Sequence, residues 1–211
     1  AMDAKLIELQ ASDWFVREVV LYMGFVLRRL DLTARSFYAL MEEGSCFAGS
    51  LLELGLAADR SYLLEDEAGE NGVAIGALSG GDLPMSNGLS RIDCRFLHDP
   101  EAGKALAEGQ GRYFGVEAED AGLVTFALDD IDYPDEVRPA IEERASLSPD
   151  ALTGMEANLR FAGAETVETK VFGRLSAWQN WIFQRPNAVG ESGALQSFGE
   201  PTTPKFDWRR T

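Results

Sequence analysis

The sequence predicts an α/β unit over residues 1–131, followed by a helical arm and docking tail over 132–211. Three observations predict it. Short apolar runs that read as strands alternate with segments of helical periodicity through the first part of the chain. From Asp132 onward only helical patterns follow. Between the two first strands, the small-residue turn Ala48-Gly49-Ser50 runs straight into a helix that carries Glu53 in its opening turn. Such a junction presents unpaired backbone N–H groups at a helix start, where a developing negative charge is favoured.

The elements follow in order. Residues 12–30 (SDWFVREVVLYMGFVLRRL) read as an amphipathic helix capped by Ser12 or Asp13, with Trp14, Val19, Tyr22, Met23, Val26 and Leu30 as its core face. Residues 34–40 read as a buried strand, and a helix runs from Gly49 to Ala58. RSYLL (60–64) and VAIGAL (73–78) read as strands across an acidic, Gly-containing turn. A turn and helix are expected over 84–97 and a helix over 100–109. EDAGLVTFAL (119–128) fits a helix end with Gly122 at its C-cap, then a strand. In the arm, YPDEVRPAIEERAS gives a helix with Pro134 near its first turn, and SPDALTGMEANLRF gives one with Ser148 as N-cap and Pro149 at the first helical position. The segment 165–184 is read as the longest helix, its large apolar groups packing on the α/β unit or on another chain, with packing within the chain the plainer expectation. The tail after Arg185-Pro186 ends on Phe206, Trp208 and two arginines, a composition suited to docking in cis or on a partner.

Composition narrows the function. The chain has 211 residues and a 45% hydrophobic content, enough for a real core. A net charge of −16, from 35 acids against 19 bases, repels phosphate backbones and argues against nucleic acid as a partner. The same charge argues mildly against a complete CoA site. The acidic clusters at 64–70, 117–120 and 129–136 lack calcium-loop spacing and read as solvated turns. No apolar run is long enough for a membrane span and the first residues lack a signal-peptide layout, so no membrane and a cytoplasmic setting are expected. Cys46 and Cys94 are too few for a disulfide framework or a zinc site. Cys46, beside the turn, reads as a buried small apolar residue rather than a functional thiol. His98, in the polar loop HDPEAG, has no nucleophile motif near it. No motif for a cofactor or a metal is present.

The stretch GSCFAGSLLELGLAAD (44–59) resembles the strand-turn-helix core of the crotonase (enoyl-CoA hydratase) superfamily. The phrases ALTGMEANLRFAG and ETKVFGRLSAWQNWIFQRPNAVG within 138–190, and FDWRR at 206–210, resemble the C-terminal region of the benzoyl-CoA-dihydrodiol lyase family, a divergent branch of it. The resemblance implies a partial crotonase-like spiral, incomplete at its N-terminal side, with the helical arm behind it. It also implies the C-terminal, scaffold and dimer-forming half of a lyase, with the other half missing and a homodimer expected. Enzymes of that family open the ring of 2,3-dihydro-2,3-dihydroxybenzoyl-CoA with water, release formate and leave 3,4-didehydroadipyl-CoA semialdehyde, in the aerobic CoA-dependent degradation of benzoate. Their acid/base pair of glutamates belongs to the N-terminal half.

The resemblance also names what this half could hold of a site. Glu53 aligns with the first superfamily glutamate and the Ser50 N–H with the oxyanion donor of the turn. The turn here reads Gly49-Ser50-Leu51, and the Leu Cβ restricts approach to a thioester. The second superfamily glutamate falls at Ala77, with Asp82 the nearest acid. The reading is therefore a scaffold that is inactive alone, with Glu53 as a charge stabilising its own helix start. The alternative is a small standalone acyl-CoA hydratase or isomerase using Glu53. An incomplete sheet further implies a dimer or an aggregate in isolation.

Overall fold

The computed structural model describes residues 2–66, 68–160 and 165–210. Glu67 of the acidic turn, Phe161–Gly163 of the arm phrase and the terminal Thr211 lie outside the described residues. The chain divides into two compact units, one of Ala1–Asp31 with Phe37–Arg138, the other of Leu32–Ser36 with Pro139–Thr211.

The first unit opens with α1 (Met2–Gln10) and α2 (Trp14–Asp31), followed by strands β1 (Tyr38–Met41) and β2 (Phe47–Ala48). A 3-10 turn at Gly49–Leu51 leads into α3 (Leu52–Leu56), then β3 (Arg60–Leu64) and β4 (Gly72–Ala74). A second 3-10 turn at Ala77–Gly80 precedes α4 (Arg91–Arg95) and α5 (Pro100–Gly109). β5 (Arg112–Phe114), α6 (Gly115–Asp120) and β6 (Phe126–Leu128) complete the unit. Two three-stranded sheets result, ordered β1-β3-β6 and β2-β4-β5. The first is wholly parallel, with Met41 opposite Leu63 and Tyr62 opposite Phe126. In the second, β2 runs parallel to β4, and β4 antiparallel to β5. The core lies between sheets and helices: Met41, Leu52, Leu63, Val73, Ile92, Phe96 and Leu123 are buried together. Parallel strands covered by helices on their faces bury near-continuous apolar runs, which is why RSYLL carries no clean alternation.

Several elements differ from the sequence reading. The core face of α2 is Val20 and Gly24 with Met23 and Leu27, packed against Leu78 and Leu83. Trp14 is 70% exposed, Tyr22 65%, and Val26 is exposed as well. The helix is apolar on most of its circumference, so periodicity could not choose the face; the packing of Val20, Met23 and Leu27 with Leu78 and Leu83 does. The expected strand 73–78 ends at Ala74; the chain stays extended through Gly76 and then enters the 3-10 segment at Ala77. Cys46 is exposed, not buried, since it lies in the turn before β2. His98 stays exposed in its loop, stacked on Phe96.

The second unit is helical. α7 (Asp132–Ser146) carries Pro139 within it, at the boundary between the units. α8 (Pro149–Leu159) starts at Ser148 and Pro149 as expected. α9 (Val167–Lys170), a π-helical segment (Val171–Leu175) and α10 (Ser176–Ile182) form one continuous run, which is shorter than α2 and so not the longest helix. Gly154 of α8 makes room for Ile182 and Trp178, yet Phe172, Leu175 and Phe183 remain exposed, so the expectation of packing within the chain fails for these three groups. Two buried acids organise the unit. Glu156 meets the Ser36 hydroxyl, Arg160 at 3.2 Å and Arg144 at 3.8 Å. Asp150 pairs with Arg185 at 3.1 Å, whose guanidinium also lies over the Trp181 ring. After α11 (Pro186–Val189), the tail docks in cis: buried Asn187 accepts the Asp207 amide at 2.8 Å.

Candidate functional site

The site region is built by the β2-turn-α3 junction of the first unit. Ala48 is extended, Gly49 takes a positive φ of 57°, and the chain reverses into the 3-10 turn that becomes α3. That φ favours glycine, which has no Cβ to clash. Gly55, one turn into α3, lets the helix settle on Met41 and Phe47; a Cβ there would fall 2.9 Å from the Met41 methyl carbon. The junction lines a cavity of about 420 Å³ together with Met2, Ala74, Gly76, Ala77 and Arg112.

Glu53, the expected acid, does not line this cavity. It is 1% exposed and turns inward, to Arg91 of α4. Arg91 is 2% exposed and serves three acceptors. Its Nη1 meets Glu53 Oε2 at 3.2 Å, and its Nη2 meets Asp31 Oδ1 at 3.0 Å and the Leu27 carbonyl at 3.1 Å. Asp31 closes α2, an end at which the helix dipole disfavours a carboxylate, and the guanidinium offsets that repulsion. The motif SRID positions the cation: the Ser90 and Asp93 side chains form a capping box, so Arg91 leaves the first position of α4 pointing into the core. Burial pushes the Glu53 carboxyl up from 4.5 to about 7. The Arg91 charge and hydrogen bond pull the other way, as does Ser79, while Asp3 adds to the rise. The Ser79 hydroxyl is close enough to favour the charged form but is not at full hydrogen-bond geometry.

The second expected acid is absent at its place. Ala77 lines the cavity, and Asp82 lies on the surface, accepting from Gln10 Nε2 at 3.2 Å. Ser50, the expected oxyanion donor, gives its amide to Asp3 Oδ2 at 2.7 Å and its hydroxyl to Asp3 Oδ1 at 3.2 Å. The structure thus brings Ser50 and Ala77 to one cavity and keeps Glu53 out of it. A carboxyl with a pKa near 7 suits proton transfer, but only within about 2.6–3.2 Å of the proton it moves. Sequence reasoning missed Arg91, Asp31 and Asp3. An aspartate on the last residue of an apolar helix was the one local signal of a hidden cation. Among the described residues no group of three His, Cys, Asp or Glu side chains is arranged to hold a metal.

The arrangement of strands, turn and helices is shared with solved structures. An enoyl-CoA hydratase from Geobacillus kaustophilus superposes with a TM-score of 0.70 at 17% identity, covering 95% of this chain and 72% of its own. An enoyl-CoA hydratase/isomerase family protein from Hyphomonas neptunium gives 0.69 at 16% identity, covering 98% and 74%. The chain therefore has the crotonase fold of the enoyl-CoA hydratases. Its sequence relative is more particular: benzoyl-CoA-dihydrodiol lyase of Aromatoleum evansii, 55% identical over 205 residues. The alignment takes in 97% of this chain but only 37% of that lyase's length. No family model matches the chain.

Proposed function

We propose that this chain is the C-terminal, scaffold and dimer-forming part of a benzoyl-CoA-dihydrodiol lyase, inactive by itself. The full enzyme would open the ring of the CoA-bound dihydrodiol with water and release formate, and the acyl-CoA would be seated by the part this chain does not contain. One observation carries the reading: Glu53, in the place of the first catalytic glutamate, is withdrawn from the cavity into an ion pair with Arg91. Ala77 in the second acid's place leaves no partner for acid/base chemistry. The helical arm over 132–211 would serve docking, and the exposed Phe172, Leu175 and Phe183 suit a protein partner such as a second copy. A standalone acyl-CoA hydratase or isomerase is favoured only by the raised pKa of Glu53, and the absence of that group from the cavity lining opposes it. No described helix is long and apolar enough to cross a membrane, in keeping with a soluble catabolic enzyme.

The test is a ring-opening assay on the chain alone and on the chain co-expressed with the remaining part of the Aromatoleum lyase. The chain alone turns over nothing. The assembled enzyme is active, and Glu53→Gln leaves its kcat/KM within about twofold, because removing a group that moves no proton forgoes none of the ~10²–10⁴ of acid/base catalysis. Turnover by the chain alone, a fall of at least ~100-fold in the variant, or no activity from either sample contradicts the proposal.

A further inference from the structure

The Gly49-Ser50 turn already holds an anion, and the anion belongs to the chain. Asp3 lies in the first turn of α1 and is only 8% exposed. Its two carboxylate oxygens take the Ser50 amide at 2.7 Å and the Ser50 hydroxyl at 3.2 Å. Two glycines leave the space it fills. A Cβ on Gly49 would fall 2.3 Å from Asp3 Oδ2, and one on Gly76 would fall 2.8 Å from the same oxygen. The two glycines also touch each other, since a Cβ on Gly76 would come within 2.5 Å of Gly49 Cα. Charge-assisted bonds from a backbone amide and a hydroxyl, set between two bare backbone segments, define a close-fitting seat for a carboxylate. The cavity beside it is walled by α1 itself, through Met2, Asp3 and Ala4.

At its far end α1 is tied by Gln10, whose Nε2 donates to Asp82 Oδ1 at 3.2 Å. The helix has nine residues, and isolated helices shorter than about 12–15 residues are marginal in water. Leu6 and Ile7 pack against the Val20, Leu78 and Leu83 cluster.

We propose that Asp3 is an internal plug. By docking its carboxylate on Ser50, α1 closes the turn and its cavity to carboxylates and acyl oxygens from outside. The inference rests on this geometry and stands apart from the lyase assignment. An outside anion must then compete with α1, and its apparent affinity falls by the fraction of molecules in which α1 is undocked.

Acetate is the probe, titrated into the 211-residue chain and its Asp3→Ala variant against sodium chloride at matched ionic strength. Asp3→Ala melts below the parent and is rescued: at an acetate concentration of about ten times Kd its Tm rises by roughly 3–5 °C, while the parent moves by less than ~1 °C. The Ser50 amide ¹⁵N–¹H resonance shifts with acetate in the variant and not in the parent. A folded Asp3→Ala protein whose Tm and Ser50 resonance ignore acetate makes Asp3 a plain structural tie and overturns the proposal. An equal response in the parent overturns it too. If Asp3→Ala does not fold, Leu6→Ala loosens α1 while keeping the carboxylate, and its Ser50 resonance shifts with acetate more than the parent's. No such difference overturns the proposal.

Discussion

Replacing Arg91 by alanine lowers the folding stability by about 3–5 kcal/mol, the range for removing one partner of a buried ion pair. Arg91 is the cation between Asp31 and Glu53, and all three are shielded from water. Its loss strands two carboxylates and an acceptor, the Leu27 carbonyl, in the core. Each stranded group then bears its desolvation cost without an opposite charge. Urea denaturation measures the effect as a fall in midpoint at unchanged m. The mechanism has an internal control. Removing the whole cluster, with Asp31→Leu, Glu53→Leu and Arg91→Met together, costs less than Arg91→Ala alone, because the penalty lies in the unpaired charges. A loss below ~1 kcal/mol in Arg91→Ala would place it among ordinary surface pairs and contradict the geometry.

The second large effect is a pH dependence. The Glu53 carboxyl titrates near 7 in the folded chain and near 4.5 in the unfolded one. Between those values the native state binds more protons than the unfolded state, so stability falls as pH rises. The contribution of Glu53 is fully present below pH 4.5 and is lost as pH passes through about 7. The rise from 4.5 to about 7 corresponds to about 3 kcal/mol. The other acids of this chain also titrate, so the informative quantity is the difference from Glu53→Gln. The neutral amide keeps the shape and has nothing to protonate. Its stability relative to the parent increases by about 3 kcal/mol between pH 4.5 and 8. Parallel stability curves for the two proteins would mean that Glu53 is ionised at an ordinary pKa, with Arg91 cancelling the effect of burial.

Local chemistry made much of the fold legible. Ser148-Pro149 marked the start of α8, and RSYLL the central strand β3. Each signal is short-range, a cap or an apolar run bounded by turn residues. The burial face of α2 was not legible. With Phe15, Val16, Val19, Val20, Tyr22 and Phe25 spread around it, what it packs against decides the face. The strand reading over 73–78 failed beyond Ala74: the chain enters a 3-10 turn at Ala77, next to Gly76, where a side chain would collide with Gly49 and Asp3. At the site, the turn and Glu53 could be found from spacing, but their partners could not. Arg91 lies 38 positions from Glu53 and Asp3 lies 47 from Ser50. No periodicity links such residues; only the packing of elements distant in sequence brings them together.

Under the proposed function, this chain has the crotonase fold without an acyl-CoA site of its own. Calorimetric titration of the folded 211-residue protein with benzoyl-CoA tests it most directly, with Glu53→Ala as control. The account predicts no saturable heat from either protein at millimolar ligand. Saturable heat from the parent that vanishes in Glu53→Ala would mean that Glu53 reaches a bound thioester, and would contradict it.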